Sequence, residues 1–349
     1  MRQAAVLTSV PIHLLGEGQR IPQMLGRLSE LPGVETHVVE THIYVPGAGA
    51  VYTGEKVKEA LDTILRQGPT VIIIAQPVAA ALPALLEAQK RGAKLVYDRF
   101  ESWKDFPGNE TWYRPQQETA IIVASDGLVS TYRDSLFDSY DRPKLLLPNA
   151  ASDAPLWPQT QLKGSRGRSV ALASSAVYVG SMDPRYIDMD AMRHVGEARP
   201  SAFYGKPPGQ RIMEDGMSPV QYGASGWLVG WVNHVNLSFA LASGDGKYND
   251  RRKVGLLPFL DIPLTEKVSP IKWWEYLLAG VRPVTMHLSQ VAEMPFGVYT
   301  DDINAFLYAA ITAAPFSDEE AREASNWVRE HHMWAHRAKV LNAWMEGLL

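Results

Sequence analysis

The stretch Val268-Ser269-Pro270-Ile271-Lys272-Trp273-Trp274-Glu275-Tyr276-Leu277-Leu278-Ala279-Gly280-Val281-Arg282-Pro283-Val284 carries more information about fold and function than any other part of this chain. Pro270 suits the first position of a helix, where its missing N–H would have no partner, and Gly280 suits the C′ position at which a helix ends. A helix opening over Ser269, Pro270, Ile271 and Lys272 directs unpaired N–H groups outward and forms an anion site, to which Lys272 adds a mobile positive charge. Lys272 and Glu275 are three apart and share one helix face. A phosphate ligand is thereby set beside a carboxylate able to accept two hydroxyl hydrogen bonds, as a ribose offers. The same spacing describes a capped amphipathic helix with a surface ion pair, and spacing alone leaves both readings open.

At 349 residues the chain is long for one core, and two domains are the expectation. Its composition is that of an ordinary soluble protein. No run of about 18 apolar residues is present, so no span of a bilayer is expected. The start, Met1-Arg2-Gln3-Ala4-Ala5-Val6-Leu7, has one positive charge and too short an apolar stretch before Pro11 for a signal peptide, which argues for the cytoplasm. The absence of cysteine excludes disulfides, thiolate metal sites and thiol catalysis. A net charge of −4 gives no support for nucleic-acid binding, although Lys247, Arg251, Arg252 and Lys253 form a local basic patch. The nine histidines show no metal-binding spacing, and no metal site is expected.

Short apolar runs alternate with amphipathic segments of helix length, which reads as repeated βαβ units and a mainly parallel sheet. In the first half, strands are predicted over Ala4 to Thr8, Glu35 to Glu40, Thr70 to Ala75, Lys94 to Asp98, Gly127 to Ser130 and Lys144 to Leu147. Helices are predicted near Gln19 to Leu31, Glu55 to Gln67 and Ala79 to Arg91. A Pro-, Gly- and Ser-rich linker covers 151–168. A second strand set follows over Val170 to Val179, Ser201 to Tyr204, Val254 to Phe259, Arg282 to Met286 and Gly297 to Tyr299. Trp327, Trp334 and Leu341 recur every seven residues, with Trp344 extending the stripe, so the tail reads as one long helix with a buried face.

The quoted stretch, preceded by Val254-Gly255-Leu256-Leu257-Pro258-Phe259, resembles the nucleotide-sugar site of GT-B glycosyltransferases of the broad family-4-like group. Nearly the whole chain fits in the right order. Leu95-Val96-Tyr97-Asp98-Arg99-Phe100-Glu101-Ser102-Trp103 is similar to the group's L-V-Y-D-x-x-D-D-W segment, with serine for its last aspartate, and Leu147-Pro148-Asn149-Ala150 is similar to its interdomain L-P-N-G. Val177-Tyr178-Val179-Gly180-Ser181 resembles Y-x-G-x-I. Ser9-Val10-Pro11 with Arg20-Ile21-Pro22-Gln23 resembles the opening S-x-P and R-P-Q. Bacterial transferases of the teichuronic-acid and xanthan type, which build surface polysaccharide, are the nearest in pattern. The segment 207–253 departs most, with Arg252-Lys253 where the group has A-D.

The resemblance implies an α/β GT-B fold of two Rossmann-like domains facing across a cleft. An acceptor-side domain would occupy 1–150 and a nucleotide-sugar domain 169–325, with a helix over 326–349 crossing back to the first domain. It implies transfer of a sugar from a nucleoside diphosphate sugar, UDP-hexose or UDP-uronic acid, to a lipid-linked or polysaccharide acceptor. No metal or cofactor beyond that donor, no nucleic acid, and a peripheral contact with the inner face of the membrane are expected. Lys272 with the amides around Ser269, Pro270 and Ile271 would neutralise the diphosphate, Gly180 and Ser181 would bring a second turn close to it, and Glu275 would hold the ribose. Lys267 stands where the first glutamate of the group's E-x7-E belongs, which leaves retention or inversion open. For a base, Asp98 and Glu101 follow a strand at its carboxyl end, where open α/β sheets present ligands. His13, in the loop after the first strand, is a candidate contact for acceptor or donor sugar. A silent nucleotide-sugar-binding partner of a transferase and a sugar-nucleotide epimerase are the alternative readings.

Overall fold

Thr70 to Ile74 and Leu95 to Arg99 are buried at every position, a pattern that a strand adopts when both faces of its sheet are covered. The computed structural model describes residues 1–10, 19–45, 49–106, 113–152, 175–205, 220–221, 224–228, 241 and 253–349. They divide into two compact units, Met1–Ala150 with Trp334–Leu349, and Ala151–Met333.

The first unit contains strands β1 (Arg2–Thr8), β2 (Val34–Glu40), β3 (His42–Val45), β4 (Gly49–Tyr52), β5 (Thr70–Ile74), β6 (Lys94–Arg99), β7 (Gly127–Ser130) and β8 (Lys144–Leu146). Six of these form a parallel sheet in the order β2-β1-β5-β6-β7-β8, and β3 and β4 form a separate antiparallel hairpin. Helices α1 (Arg20–Ser29), α2 (Gly54–Leu65), α3 (Leu82–Lys90), α4 (Pro115–Ala124) and α5 (Ser135–Ser139) lie between strands. Alternation along each strand assigns its side chains to two layers. Ala5, Leu7, Ile72, Ile74, Leu95 and Tyr97 meet Leu61 of α2, Leu85 of α3 and Ile121 of α4. Ala4, Val6, Val71, Ile73 and Val96 meet Met24 and Leu28 of α1.

The second unit contains β9 (Ala176–Val179), β10 (Ser201–Tyr204), β11 (Val220–Gln221), β12 (Gly226–Leu228), β13 (Val254–Pro258), β14 (Arg282–Met286) and β15 (Val298–Thr300). Their order is β11-β12-β10-β9-β13-β14-β15, parallel except for β11 at the edge. Helices α6 (Met189–Ala198) and α8 (Ile303–Thr312) cover one face of this sheet. Helices α7 (Ile271–Leu278) and α9 (Asp318–His331) cover the other.

The tail is not one helix. Helix α9 stops at His332, whose carbonyl accepts the N–H of Ala151 at 2.8 Å, and α10 (Trp334–Glu346) begins after Met333. The seven-residue stripe is therefore split. Trp327 packs near Trp274 and Phe296 in the second unit, whereas Trp334, Leu341 and Trp344 of α10 belong to the first. There Trp344 lies over Gly127 so closely that a Cβ at 127 would stand 2.6 Å from the indole.

Helix α7 starts one residue later than Pro270 suggested, with Pro270 as its extended N-cap. At its other end Gly280 adopts φ +69°, its N–H reaches Leu277 O and the N–H of Val281 reaches Tyr276 O, the two bonds of a Schellman stop. The ring of Tyr276 rests on β13 where only a hydrogen fits: a Cβ at Gly255 would lie 2.3 Å from it. Gly255→Ala should accordingly destabilise the protein by about 1–3 kcal/mol, the usual cost of overpacking. Gly26→Ala, in α1 with nothing within 4 Å of the new methyl, should instead stabilise by about 0.5–1 kcal/mol. Thermal unfolding of the two variants beside the parent should show shifts of opposite sign.

Candidate functional site

In an open parallel sheet, ligands bind outside the carboxyl ends of the strands where the order reverses. In the second unit that point lies between β9 and β13, which are parallel neighbours. Gly180 and Ser181 follow β9 directly; the Gly180 N–H donates to Tyr204 O at 2.9 Å, and Ser181 is exposed with its carbonyl accepting the Tyr178 hydroxyl. The chain leaving β13 runs through a 3-10 turn, Thr265–Lys267, to the buried Ser269 and Pro270 and into α7. Within α7 the Tyr276 hydroxyl accepts the N–H of Val179 at 3.0 Å. That bond fastens α7 to the end of β9, which Gly180 follows. Lys272 and Glu275 pair at 2.7 Å, with Glu275 buried and the lysine partly exposed. The N–H groups of Ile271 and Lys272 precede the first helical bond, from Trp273 N–H to Pro270 O at 3.2 Å. The first turn of α7 thus carries two backbone donors and the Lys272 ammonium, with the buried Glu275 carboxylate paired to that lysine.

In the first unit the order reverses between β1 and β5, and a cavity of about 540 Å³ opens there. Among the described residues it is lined by the turns after those strands, Ser9 and Val10, and Gln76 to Ala80, and by His42, Trp103, Tyr113 and Gln117. Glu101 and Asp98, both at the end of β6, have different surroundings. Asp98 is fully buried, and both its oxygens accept from Arg20 at 2.8 and 2.9 Å. Arg20 also donates to Leu147 O at 2.9 Å and Asn149 Oδ1 at 3.2 Å, which ties the start of α1 to the chain after β8. Both oxygens of Asp98 are thereby occupied by one guanidinium. The Glu101 side chain has no hydrogen bond or ion pair among the described residues, and desolvation pushes its carboxyl up to about 7. Beside it, Arg99 is buried against Asp134, Tyr132 and Glu118. His13 lies outside the described residues.

No family model matches the chain, and no curated protein matches it. Its fold, however, occurs among solved structures. A trehalose-6-phosphate protein from E. coli bound with UDP-2-fluoro glucose aligns over 98% of both chains with a TM-score of 0.57 at 10% identity. The N-terminal domain of Candida albicans trehalose-6-phosphate phosphatase aligns over 99% of this chain and 96% of its own, with a TM-score of 0.60 at 9% identity. A DNA-modifying β-glucosyltransferase, solved in the presence and absence of its substrate uridine diphosphoglucose, aligns over 100% and 99% with a TM-score of 0.50 at 12% identity. The fold is GT-B.

On this GT-B framework Gly180, Ser181 and residues 269–275 share one sheet edge in the second unit, whereas Asp98 and Glu101 belong to the first. Lys253 is buried and so forms no part of a surface basic patch; desolvation lowers its ammonium to about 7. Lys247, Arg251 and Arg252 lie outside the described residues. His42 and Gln76 escaped the sequence reading because neither stands in a recognisable motif. No helix among the described residues is long and apolar enough to cross a membrane, and no cluster of three His, Asp or Glu side chains there could hold a metal ion. Asp98→Asn, which leaves Arg20 buried without its counter-charge, should cost about 3–5 kcal/mol in chemical denaturation.

Proposed function

We propose that the chain is a glycosyltransferase that moves a sugar from a nucleoside diphosphate sugar to a hydroxyl of a saccharide or lipid-linked acceptor, without a metal. The observation that carries this reading is the Lys272–Glu275 pair at the start of α7, at the switch point of its sheet. The helix N-terminus and the Lys272 ammonium offset charge on the departing diphosphate, and Glu275 accepts hydrogen bonds from the ribose hydroxyls. Gly180 and Ser181 supply the second turn beside the phosphates. UDP as the nucleotide, carrying a hexose or a uronic acid, is supported by the UDP-2-fluoro glucose and uridine diphosphoglucose named for two GT-B structures. A lipid-linked acceptor would draw the protein to the inner face of the membrane as a peripheral visitor.

Glu101 is the base of this reading. As the bond from the acceptor oxygen to C1 forms and the bond from C1 to the diphosphate breaks, the acceptor proton passes to the Glu101 carboxylate and the diphosphate leaves with the electron pair, inverting C1. A carboxyl at about 7 is matched to that task near neutrality.

Lys272→Ala should weaken UDP binding by about 1.5–3 kcal/mol, the scale of a charge-assisted hydrogen bond, as read by calorimetry. Glu275→Gln should weaken UDP but leave pyrophosphate nearly unaffected; equal losses would make Glu275 structural. For Glu101 the sign follows from the raised value. The ionised base fills as pH rises through about 7, so kcat/KM should climb below that pH and level off above it. The folded state resists an ionisation that the unfolded chain allows from about 4.5, so stability should decline from pH 4.5 to 7 through this group. Glu101→Gln should remove both trends and lower turnover by about 100-fold with UDP-sugar affinity retained. Full turnover in that variant would move the base elsewhere.

A further inference from the structure

Two residues other than glycine have a left-handed backbone among the described residues, His287 with φ +59° and Phe296 with φ +70°. A side chain with a Cβ adopts that conformation at a cost, which persists only where something offsets it. For Phe296 the offset is packing, since its ring meets Trp327 at 5.8 Å and joins the core that α7 and α9 cover. His287 has no such compensation. Its imidazole is partly buried and makes no hydrogen bond, ion pair or ring contact among the described residues. The turn itself has a task in the fold: the His287 N–H donates to Thr300 O at 3.1 Å, and the next residue, Leu288, is fully buried. Glycine or asparagine would serve that turn at lower cost. The fold accounts for the turn and not for the imidazole.

The imidazole stands at the carboxyl edge of the second unit's sheet. Strand β14 is parallel to β13, with Met286 opposite Pro258, so His287 leaves the sheet on one side of β13 and Gly180 leaves it on the other. From His287 the chain enters a 3-10 turn, Ser289–Val291, that is tied to the approach to α7. Ser289 Oγ donates to Glu266 O at 2.9 Å, and Gln290 Nε2 donates to Lys267 O at 2.8 Å. In the transferase reading the ribose is at Glu275 and the diphosphate at Lys272 and the first turn of α7, so the donor runs toward the helix start. The group beyond the diphosphate is the sugar, and it comes out over the turn to which the His287 loop is tied. A neutral imidazole donates through one nitrogen and accepts through the other in either tautomer, as a sugar hydroxyl does through its one oxygen.

We propose that His287 is a donor-site residue whose imidazole hydrogen-bonds a hydroxyl of the sugar carried by the nucleotide, and that the left-handed turn is retained at its cost to hold the ring there. The inference rests on the transferase reading and adds to it a residue that distinguishes a loaded donor from the spent nucleotide.

Calorimetric titration of the full chain with UDP, UDP-glucose and UDP-glucuronate tests this. His287→Gly relieves the backbone and deletes the imidazole. It should unfold at the temperature of the parent or above it, bind UDP unchanged, and weaken whichever nucleotide sugar the parent binds about tenfold, the loss of one hydrogen bond. His287→Asn, which tolerates the left-handed turn and carries both a donor and an acceptor, should recover part of that loss. The ratio of nucleotide-sugar to UDP affinity is a quantity that a purely structural histidine would not move. An unchanged ratio in His287→Gly, an equal loss for UDP and nucleotide sugar, a lower unfolding temperature in that variant, or a parent that binds UDP but neither nucleotide sugar would overturn the inference while UDP binding still supports the transferase reading. A parent that binds no UDP would overturn both.

Discussion

The buried hydroxyl of Tyr276 is the contact on which the second unit's site depends. It accepts the N–H of Val179 at 3.0 Å and lies 3.4 Å from Leu256 O, so one side chain of α7 is fastened to the end of β9 and the middle of β13. The ring reaches that position only because residue 255 is glycine. Lys272 lies one turn earlier on the same helix, and Gly180 is the next residue after Val179. Rotation or sliding of α7 would break a buried hydrogen bond as well as disturb packing, and an unsatisfied buried donor costs about 1–3 kcal/mol. The charged pair thus owes its place to an uncharged anchor.

The first unit deploys its charges differently. Arg20 with Asp98, and Arg99 with Asp134 and Glu118, are inside the protein and bonded to one another. Buried pairs of this kind add little net stability but strongly penalise any arrangement that separates them. They fix how the chain after β6, the start of α1 and the chain after β8 come together. Glu101, three residues from Asp98, lacks such a partner among the described residues, and desolvation raises its pKa. Two carboxylates on one short segment are set apart by their surroundings.

Much of the fold was legible because its cause is local. Gly280 predicts a stop at its own position, and buried runs such as Thr70 to Ile74 identify strands without reference to neighbours. The pairing of Lys272 with Glu275 follows from helical spacing. What escaped the sequence is what joins distant segments. Ser9 meets Gln76 across 67 residues, Thr41 meets Thr8 across 33, and Arg20 meets Asp98 across 78. No periodicity encodes those meetings, so the contact of Gln76 with Ser9 and the occupation of Asp98 were unreadable. The tail misled for a related reason. Its seven-residue stripe is real, but Trp327 and Trp334 serve two different cores, and a pattern of buried positions does not say which core buries them.

The division of that tail has a consequence for synthesis. The first unit is completed by α10, whose Ala338, Leu341 and Met345 share a layer with α1 and whose Trp344 covers Gly127. During translation the sheet of β1 to β8 emerges with one of its faces only partly covered, and the residues that finish the layer are made after the whole of the second unit. At about 5–20 residues per second, apolar side chains such as Ile73 and Val129 wait on the order of ten seconds or more for their cover. A nascent chain of this topology therefore carries an open apolar layer for as long as the second unit takes to be made, and that interval is when a holdase on the first sheet would be of use.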